Sequence, residues 1–484
     1  MRYISSLSKR IYRKRILLLT VLIIGIFLRI CIAPYSTGSD IPQFAGFADT
    51  FLRHGLCFYN YADGSHWISE KWAYPWPYVY GPIWVFIISF IRLFVRSDIE
   101  FGWLGSTYYV YTPMDWIVGV KTVLILFDTI SALLLYMFLR RFKYGLWPFI
   151  GFTLYFLNPM TIYISSIYGM FDQIALTFFL ASLLFLNKRP FVSGIFLSLT
   201  LLTKHTFLYP ALVLILYMLL RRQWREFTRY LTGLLVPVAI FLVPFFIGCP
   251  NSFKIFIEAI SLSSKPGYTY PIVYSFNGIS SLATYLHEEY GYDMLWAIRY
   301  WYVPSAMLTA VLMIRMVKQR LNPIIVTAIA YIIYTATYWR VNHQYLVPTI
   351  AMAIIIAIMT NSKLVKAIAI ATILTIALWP IAFPTSWWLH AHIKQPNQQL
   401  IQLIDKLTLM IFDKKFYTIY SLTLTITQYT LIITSTILEK HKQVKQPTKQ
   451  RKRNGPAGIR TRDLCLSCDF GACLDRCKGS ALPG

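Results

Sequence analysis

Asp40 is the first residue of this chain placed to do chemistry. It follows the hydrophobic run Ile16 to Ala33 and opens a polar stretch, Ser36 to about Pro82, that also carries Asp49, Asp63 and Glu70. Trp67, Trp72, Tyr74, Trp76, Tyr78 and Tyr80 crowd the second half of that stretch. A carboxylate held at a membrane surface can take the proton of a hydroxyl as its oxygen attacks an electrophilic carbon. Aromatic side chains with apolar bodies and polar tips suit a substrate that is half lipid and half sugar. A solvated turn aspartate is the plain alternative.

Three further clusters stand beside apolar segments. Tyr338 to Tyr345, Y-W-R-V-N-H-Q-Y, offers Arg340 and His343 with the amides of Asn342 and Gln344. The forked, permanently charged guanidinium of Arg340 fits a phosphate, and snorkelling to the interface explains it equally well. Lys204 and His205 close a short hairpin, where a cation invites an anionic partner such as phosphate or is simply tolerated. Asp172 begins an apolar segment, either as a helix cap or as a site residue. Lys121 and Asp128, seven apart on one segment, share a face and read as structural partners of other helices. The stretch 249–300 could form a lid or stack a glycan on its tyrosines. Its His287-Glu288-Glu289 run has no second ligand spacing to support a metal.

These residues must be positioned by membrane helices. Of 484 residues, 57% are hydrophobic and 14% charged, against roughly 25% charged in soluble proteins. The formal charge of +26 gathers in short loops and the tail, which fits positive-inside topology and not nucleic-acid binding. Apolar segments near the ~20 residues that span a bilayer fall at 16–33, 117–139, 148–166, 172–187, 190–203, 205–220, 230–248, 301–317, 323–339, 345–360, 365–383 and 416–437. The fold expected is therefore an all-α, polytopic membrane bundle of about 12–13 transmembrane helices. Segment 79–95 is expected to be re-entrant or interfacial, because a full crossing would invert everything downstream. The loops rich in Lys and Arg then lie in the cytoplasm. The first outer loop (34–82), the corner Tyr168 to Asp172, Lys204 and His205, the second outer loop (249–300) and Arg340 to Gln344 share the extracytoplasmic face of the cell membrane.

Beyond residues 1–440, the basic segment 441–484 reads as a cytoplasmic tail. Cys465, Cys468, Cys473 and Cys477 have a spacing that could hold zinc. However, Ile459-Arg460-Thr461 can be encoded by the complement of a tRNA T-loop, so the frame from about 454 reads as translated antisense tRNA sequence.

Several elements, in order, resemble the GT-C superfamily of polyprenyl-phosphate-sugar-dependent glycosyltransferases. They are G-S-D (Gly38 to Asp40), Y-P-W-P-Y-V-Y-G-P (Tyr74 to Pro82), K-T-V-L-I-L-F-D (Lys121 to Asp128), L-N-P (Leu157 to Pro159), Y-G-M-F-D-Q (Tyr168 to Gln173), T-K-H-T-F-L-Y-P (Thr203 to Pro210) and R-V-N-H-Q-Y-L-V-P (Arg340 to Pro348). The set resembles prokaryotic mannosyltransferase-like members and the catalytic subunit of GPI mannosyltransferase I. The resemblance implies an inverting hexosyltransferase, mannose being expected, with a lipid-phosphate sugar donor and a glycolipid or glycan acceptor. It implies Asp40 as catalytic base and Arg340, His343, Lys204 and His205 as donor-phosphate ligands. Asp49, Asp172, Gln344 and Tyr80 are expected to bind substrate. No Asp-x-Asp stands in the first loop, so a divalent Mg or Mn ion is left open and no metal ligand is assigned. A transporter or flippase of lipid-linked sugars is the alternative. Such a protein should show inverted repeats and polar residues at the bilayer midplane, whereas here the polar clusters gather on one face.

Overall fold

Alternating apolar runs and capping signals decide where the helices lie. The computed structural model describes residues 2–319 and 321–438; the tail cysteines and the segment from about 454 expected to be translated antisense tRNA sequence lie outside them. The chain opens with α1 (Arg2–Ile32), α2 (Asp40–His54) and α3 (Pro82–Phe94). A two-stranded antiparallel hairpin, β1 (Glu100–Leu104) and β2 (Thr107–Tyr111), interrupts an otherwise helical chain. Next come α4 (Met114–Leu139), α5 (Trp147–Phe156), α6 (Pro159–Ile162), α7 (Asp172–Phe185), α8 (Pro190–Thr203), α9 (Leu208–Leu220), α10 (Trp224–Pro237) and α11 (Val243–Gly248). Then follow α12 (Asn251–Ser263), α13 (Gly278–Tyr290), α14 (Leu295–Arg299), α15 (Tyr302–Gln319), α16 (Pro323–Thr337), α17 (Leu346–Met359), α18 (Lys363–Ala382), α19 (Gln398–Leu407) and α20 (Lys414–Ile433).

The molecule is an all-α polytopic membrane protein. Among the described residues, five helices are long and apolar enough to cross a bilayer alone, and the bent pair 147–156 and 159–168 makes a sixth. Six shorter apolar helices, Pro82–Phe94 among them, pack between these. At 1.5 Å per residue, α3 extends only about 20 Å, short of the ~30 Å hydrocarbon core. Helices α16 and α17 are buried along almost their whole length and form the centre. Helix α1 instead turns Leu19, Ile23, Phe27 and Ile30 outward, as a lipid-facing span must.

The break between α5 and α6 has a local cause. Pro159 has no N–H to give to Tyr155, and the N–H of Met160 is taken by the cap oxygen of Asn158 at 3.0 Å. Two carbonyls are thereby released. The Thr161 hydroxyl donates to Tyr155 O at 2.8 Å, and Arg29 donates to Phe156 O at 2.9 Å. Arg29 is fully buried and also ion-paired with Asp128 at 2.6 Å. Lys121 donates to Ala33 O, Ser36 O, Ser36 Oγ, Ser166 O and Ile167 O, at 2.5–3.1 Å. Both in-membrane charges of α4 therefore hold other segments, as expected. Lys121 joins the end of the first span to the end of the bent one, and those ends carry Asp40 and Tyr168.

The two stretches expected as outer loops are largely helical. Residues 40–54 form α2, which packs against α3, and 249–300 contains α12, α13 and α14. In α2, residues 41–48 are buried on every side, the polar Gln43 included. A disulfide between Cys57 and Cys249, 192 residues apart, joins the two stretches.

Candidate active site

Asp40 is the first residue of α2, and its position is fixed from both sides. The N–H of Gly38 donates to Tyr168 O at 2.8 Å. A Cβ at Gly38 would stand 2.7 Å from that same oxygen, so only glycine permits the approach. Gly169, at φ +88°, ends the π-type turn Tyr163–Tyr168 in the left-handed region, which glycine adopts freely. It turns the chain so that the Tyr168 hydroxyl donates to Asp40 Oδ2 at 2.6 Å. The Tyr168 ring meets His343 edge to face at 4.2 Å and Trp388 at 4.9 Å.

Asp40, Tyr168 and His343 open into a cavity of about 550 Å³, the size of a small-molecule site. Tyr80, His205, Arg340 and Gln344 line it too. The structure thus brings together six of the nine residues expected at the site, drawn from four separate parts of the chain. Asp40 is half-buried, and its exposed surface faces this cavity. Burial pushes its carboxyl above the usual 3.8; the Tyr168 hydrogen bond and the charges of Lys204 and Arg340 act the other way and do not cancel it.

The lining also holds polar atoms without partners. Arg340 Nε, Asn342 Oδ1, His343 Nε2, Gln344 Oε1 and His205 Nδ1 are buried and make no hydrogen bond among the described residues. A buried unpaired polar atom costs about 1–3 kcal/mol, so five around one cavity mark a site that a polar ligand completes. The remaining wall is apolar or aromatic, including Phe44, Phe47, Val79, Met170 and Leu262. Among the described residues no three His, Cys, Asp or Glu side chains gather in a way that would hold a metal, and no step below is routed through one.

Three expected site residues stand elsewhere. Asp49 lies on α2 facing α3, where Arg92 donates to both its oxygens at 2.7 and 2.9 Å; it does not line the cavity. Asp172 and Lys204 are fully buried and paired with each other at 2.5 Å. In this structure Lys204 answers a protein carboxylate. Its ammonium lies over the rings of Phe171, Tyr345 and Tyr80 at 4.8–5.6 Å, the last two of which line the cavity. The pair supports the wall from behind. The His287 run likewise has protein partners: His287 bonds Tyr270 at 2.7 Å, and Glu288 and Glu289 bind Lys414.

Sequence reasoning missed the parts played by Tyr168 and Gln43. Tyr168 stood in a recognised corner, but a hydroxyl 128 residues from its acceptor has no spacing signal. The disulfide was missed as well, although Cys57 and Cys249 fell in the two stretches assigned to the same face.

The protein is thus a polytopic helical membrane protein whose cavity is lined by a half-buried carboxylate and by unpaired donors and acceptors. The model of Glycosyltransferase family 87 matches residues 78–337, more than half of the chain, and the protein belongs to that family, one of the GT-C-like membrane glycosyltransferases. No curated protein matches the chain. Tyr80 and His205 fall inside the matched stretch; Asp40 and the strip Arg340 to Gln344 lie outside it, so their roles rest on geometry.

Proposed function

We propose that the protein transfers a hexose, mannose foremost, from a polyprenyl or dolichyl phosphate to a glycolipid or glycan acceptor at the extracytoplasmic face, with inversion. The observation that carries this reading is that the Asp40 carboxylate lines the same cavity as the unpartnered atoms of Arg340, His343 and Gln344.

The chemistry follows from that arrangement. An acceptor hydroxyl oxygen forms a bond to the anomeric carbon from the side opposite the phosphate. The bond from that carbon to the phosphate oxygen breaks, and its electron pair leaves on the lipid phosphate. The hydroxyl proton passes to Asp40. Arg340 and His343 stabilise the charge gathering on the phosphate. A phosphate leaves without a strong general acid, so one carboxylate suffices. The apolar lining beside these groups suits the first isoprene units of the donor.

Orientation is supported by the Cys57–Cys249 disulfide. It joins the two segments that bring Asp40 and Leu262 to the cavity, and disulfides persist in oxidising compartments outside the cytosol. Nucleotide sugars stay in the cytosol, which leaves lipid-linked sugars as the donors available on the outer side.

The test is sugar transfer from synthetic polyprenyl-phospho-mannose to a lipid-glycan extract by the reconstituted protein. Asp40→Asn should lose more than about 100-fold in rate, the scale of general-base catalysis, while still binding donor. Full activity in the variant would remove Asp40 from the chemistry.

A further inference from the structure

The cavity has a second pole that the phosphate chemistry does not use. Trp76 lines it, and the residue is 41% exposed. It is not a loose surface residue. Its ring stacks on Tyr74 at 4.3 Å and 15°. The buried side chain of Gln43 clamps the backbone beneath: Nε2 donates to Tyr74 O at 3.0 Å and to Trp76 O at 3.2 Å, and Oε1 accepts from Tyr74 N at 2.9 Å. Tyr108 adds a hydrogen bond to Ala73 O at 2.7 Å. Three elements thus fix one flat indole face toward the cavity.

The clamp also sets the distance to the base. Gln43 lies three residues after Asp40 on α2, hence one turn along the same face, and both line the cavity. Asp40 is near enough for its charge to act on Tyr74, while Arg340 acts on Asp40. The carboxylate therefore has both the Tyr74–Trp76 stack and the Arg340 cation within electrostatic reach. In a transfer between two substrates, the group that loses its proton to the base enters from the side away from the leaving phosphate.

We propose that Trp76, backed by Tyr74 and held by Gln43, is the acceptor subsite, and that the acceptor is itself a sugar whose pyranose ring lies with its apolar C–H face on the indole. A flat, pre-ordered aromatic face gives large contact area with little ordering cost, and a pyranose offers the matching flat apolar face. A serine, threonine or polyprenol hydroxyl would leave the plate unused. The inference rests on the glycosyl-transfer reading, and binding tests it separately from transfer.

Soluble disaccharides of mannose, glucose and galactose serve as probes, with binding to the full chain in lipid nanodiscs followed by saturation-transfer NMR. Wild type and Asp40→Asn should bind at least one disaccharide equally. Trp76→Ala should weaken that binding roughly ten-fold or more, and Trp76→Phe, which keeps a ring, should recover most of it. Equal binding by wild type and Trp76→Ala, or binding of no disaccharide by wild type, overturns the subsite. Trp76-dependent binding with no transfer by the wild type would uphold the sugar site and overturn the proposed donor and reaction instead.

Discussion

The Tyr168 hydroxyl donates a 2.6 Å hydrogen bond to Asp40 across 128 residues of sequence. The bond is possible because Lys121 and Gly38 bring the ends of two spans together. It has two effects: it fixes the rotamer of the carboxylate, and it stabilises the charged form against burial.

Burial still prevails, and the Asp40 carboxyl titrates above 3.8. Only the deprotonated form can accept a proton. Transfer should therefore be complete at high pH and fall as pH drops through this raised value, giving kcat/KM an acid limb above the ordinary carboxylate range. The residual rate of Asp40→Asn should lack that limb. A wild-type profile flat down to pH ~4 would mean that another group is the base.

Tyr168→Phe removes the stabilising donor, so the Asp40 pKa should rise further. A hydrogen bond to a charged group contributes roughly 1.5–3 kcal/mol, or about one to two pH units. The acid limb should move upward by that amount, with the rate at high pH largely kept. An unmoved limb with a reduced plateau would make Tyr168 a residue of shape and not of charge.

Arg340→Lys separates charge from geometry. Lysine keeps the cation but not the planar fork. The KM for the lipid-phosphate donor should rise roughly ten- to hundred-fold, with acceptor binding by the disaccharide probes unchanged. Recovery of wild-type donor KM by lysine would show that a point charge is enough.

How much of this was legible in the sequence depends on what each residue interacts with. Polar breaks between apolar runs were enough to nominate Asp40, Tyr80, His205, Arg340, His343 and Gln344, because membrane helices must bring such breaks to a face. Which charge answers which was not legible. Asp49, Asp172 and Lys204 look like site residues in one dimension, yet Arg92 claims the first and the other two claim each other. The helical fold followed from hydrophobic runs near the length of a membrane span; the caps Asn158 and Asn322, each preceding a proline, were found only in the structure. The helicity of 40–54 did not, because the segment is too short and too interspersed with polar residues to read as a span.

The Lys204–Asp172 pair yields a stability test. Asp172→Leu leaves a buried ammonium without its counter-charge, which typically costs about 3–5 kcal/mol. Thermal unfolding in detergent should show a large loss for Asp172→Leu and a recovery of most of it in Lys204→Met/Asp172→Leu, since an apolar pair of similar volume is often neutral. The double variant should retain transfer if Lys204 only supports the wall behind Tyr80 and Tyr345. Restored stability with lost transfer would return Lys204 to the chemistry.

The disulfide tests orientation. In intact cells, a membrane-impermeant reductant should raise labelling of the wild type by an impermeant maleimide above the unreduced level set by free thiols such as Cys31, and Cys57→Ser/Cys249→Ser should lose that reductant-dependent increase. An increase only after permeabilisation would put the cavity on the cytoplasmic side, where the lipid-donor argument no longer applies and a nucleotide sugar becomes the donor to test. Without the cross-link, two segments 192 residues apart are released in the unfolded chain, and the stability loss should be about 2–5 kcal/mol. Because one of these segments carries Leu262 to the cavity while the other leads from α2 toward Trp76, the loss should also appear as weaker disaccharide binding. The Asp40 acid limb should stay where it is, since Tyr168 and Gly38 hold that carboxylate independently of the bridge.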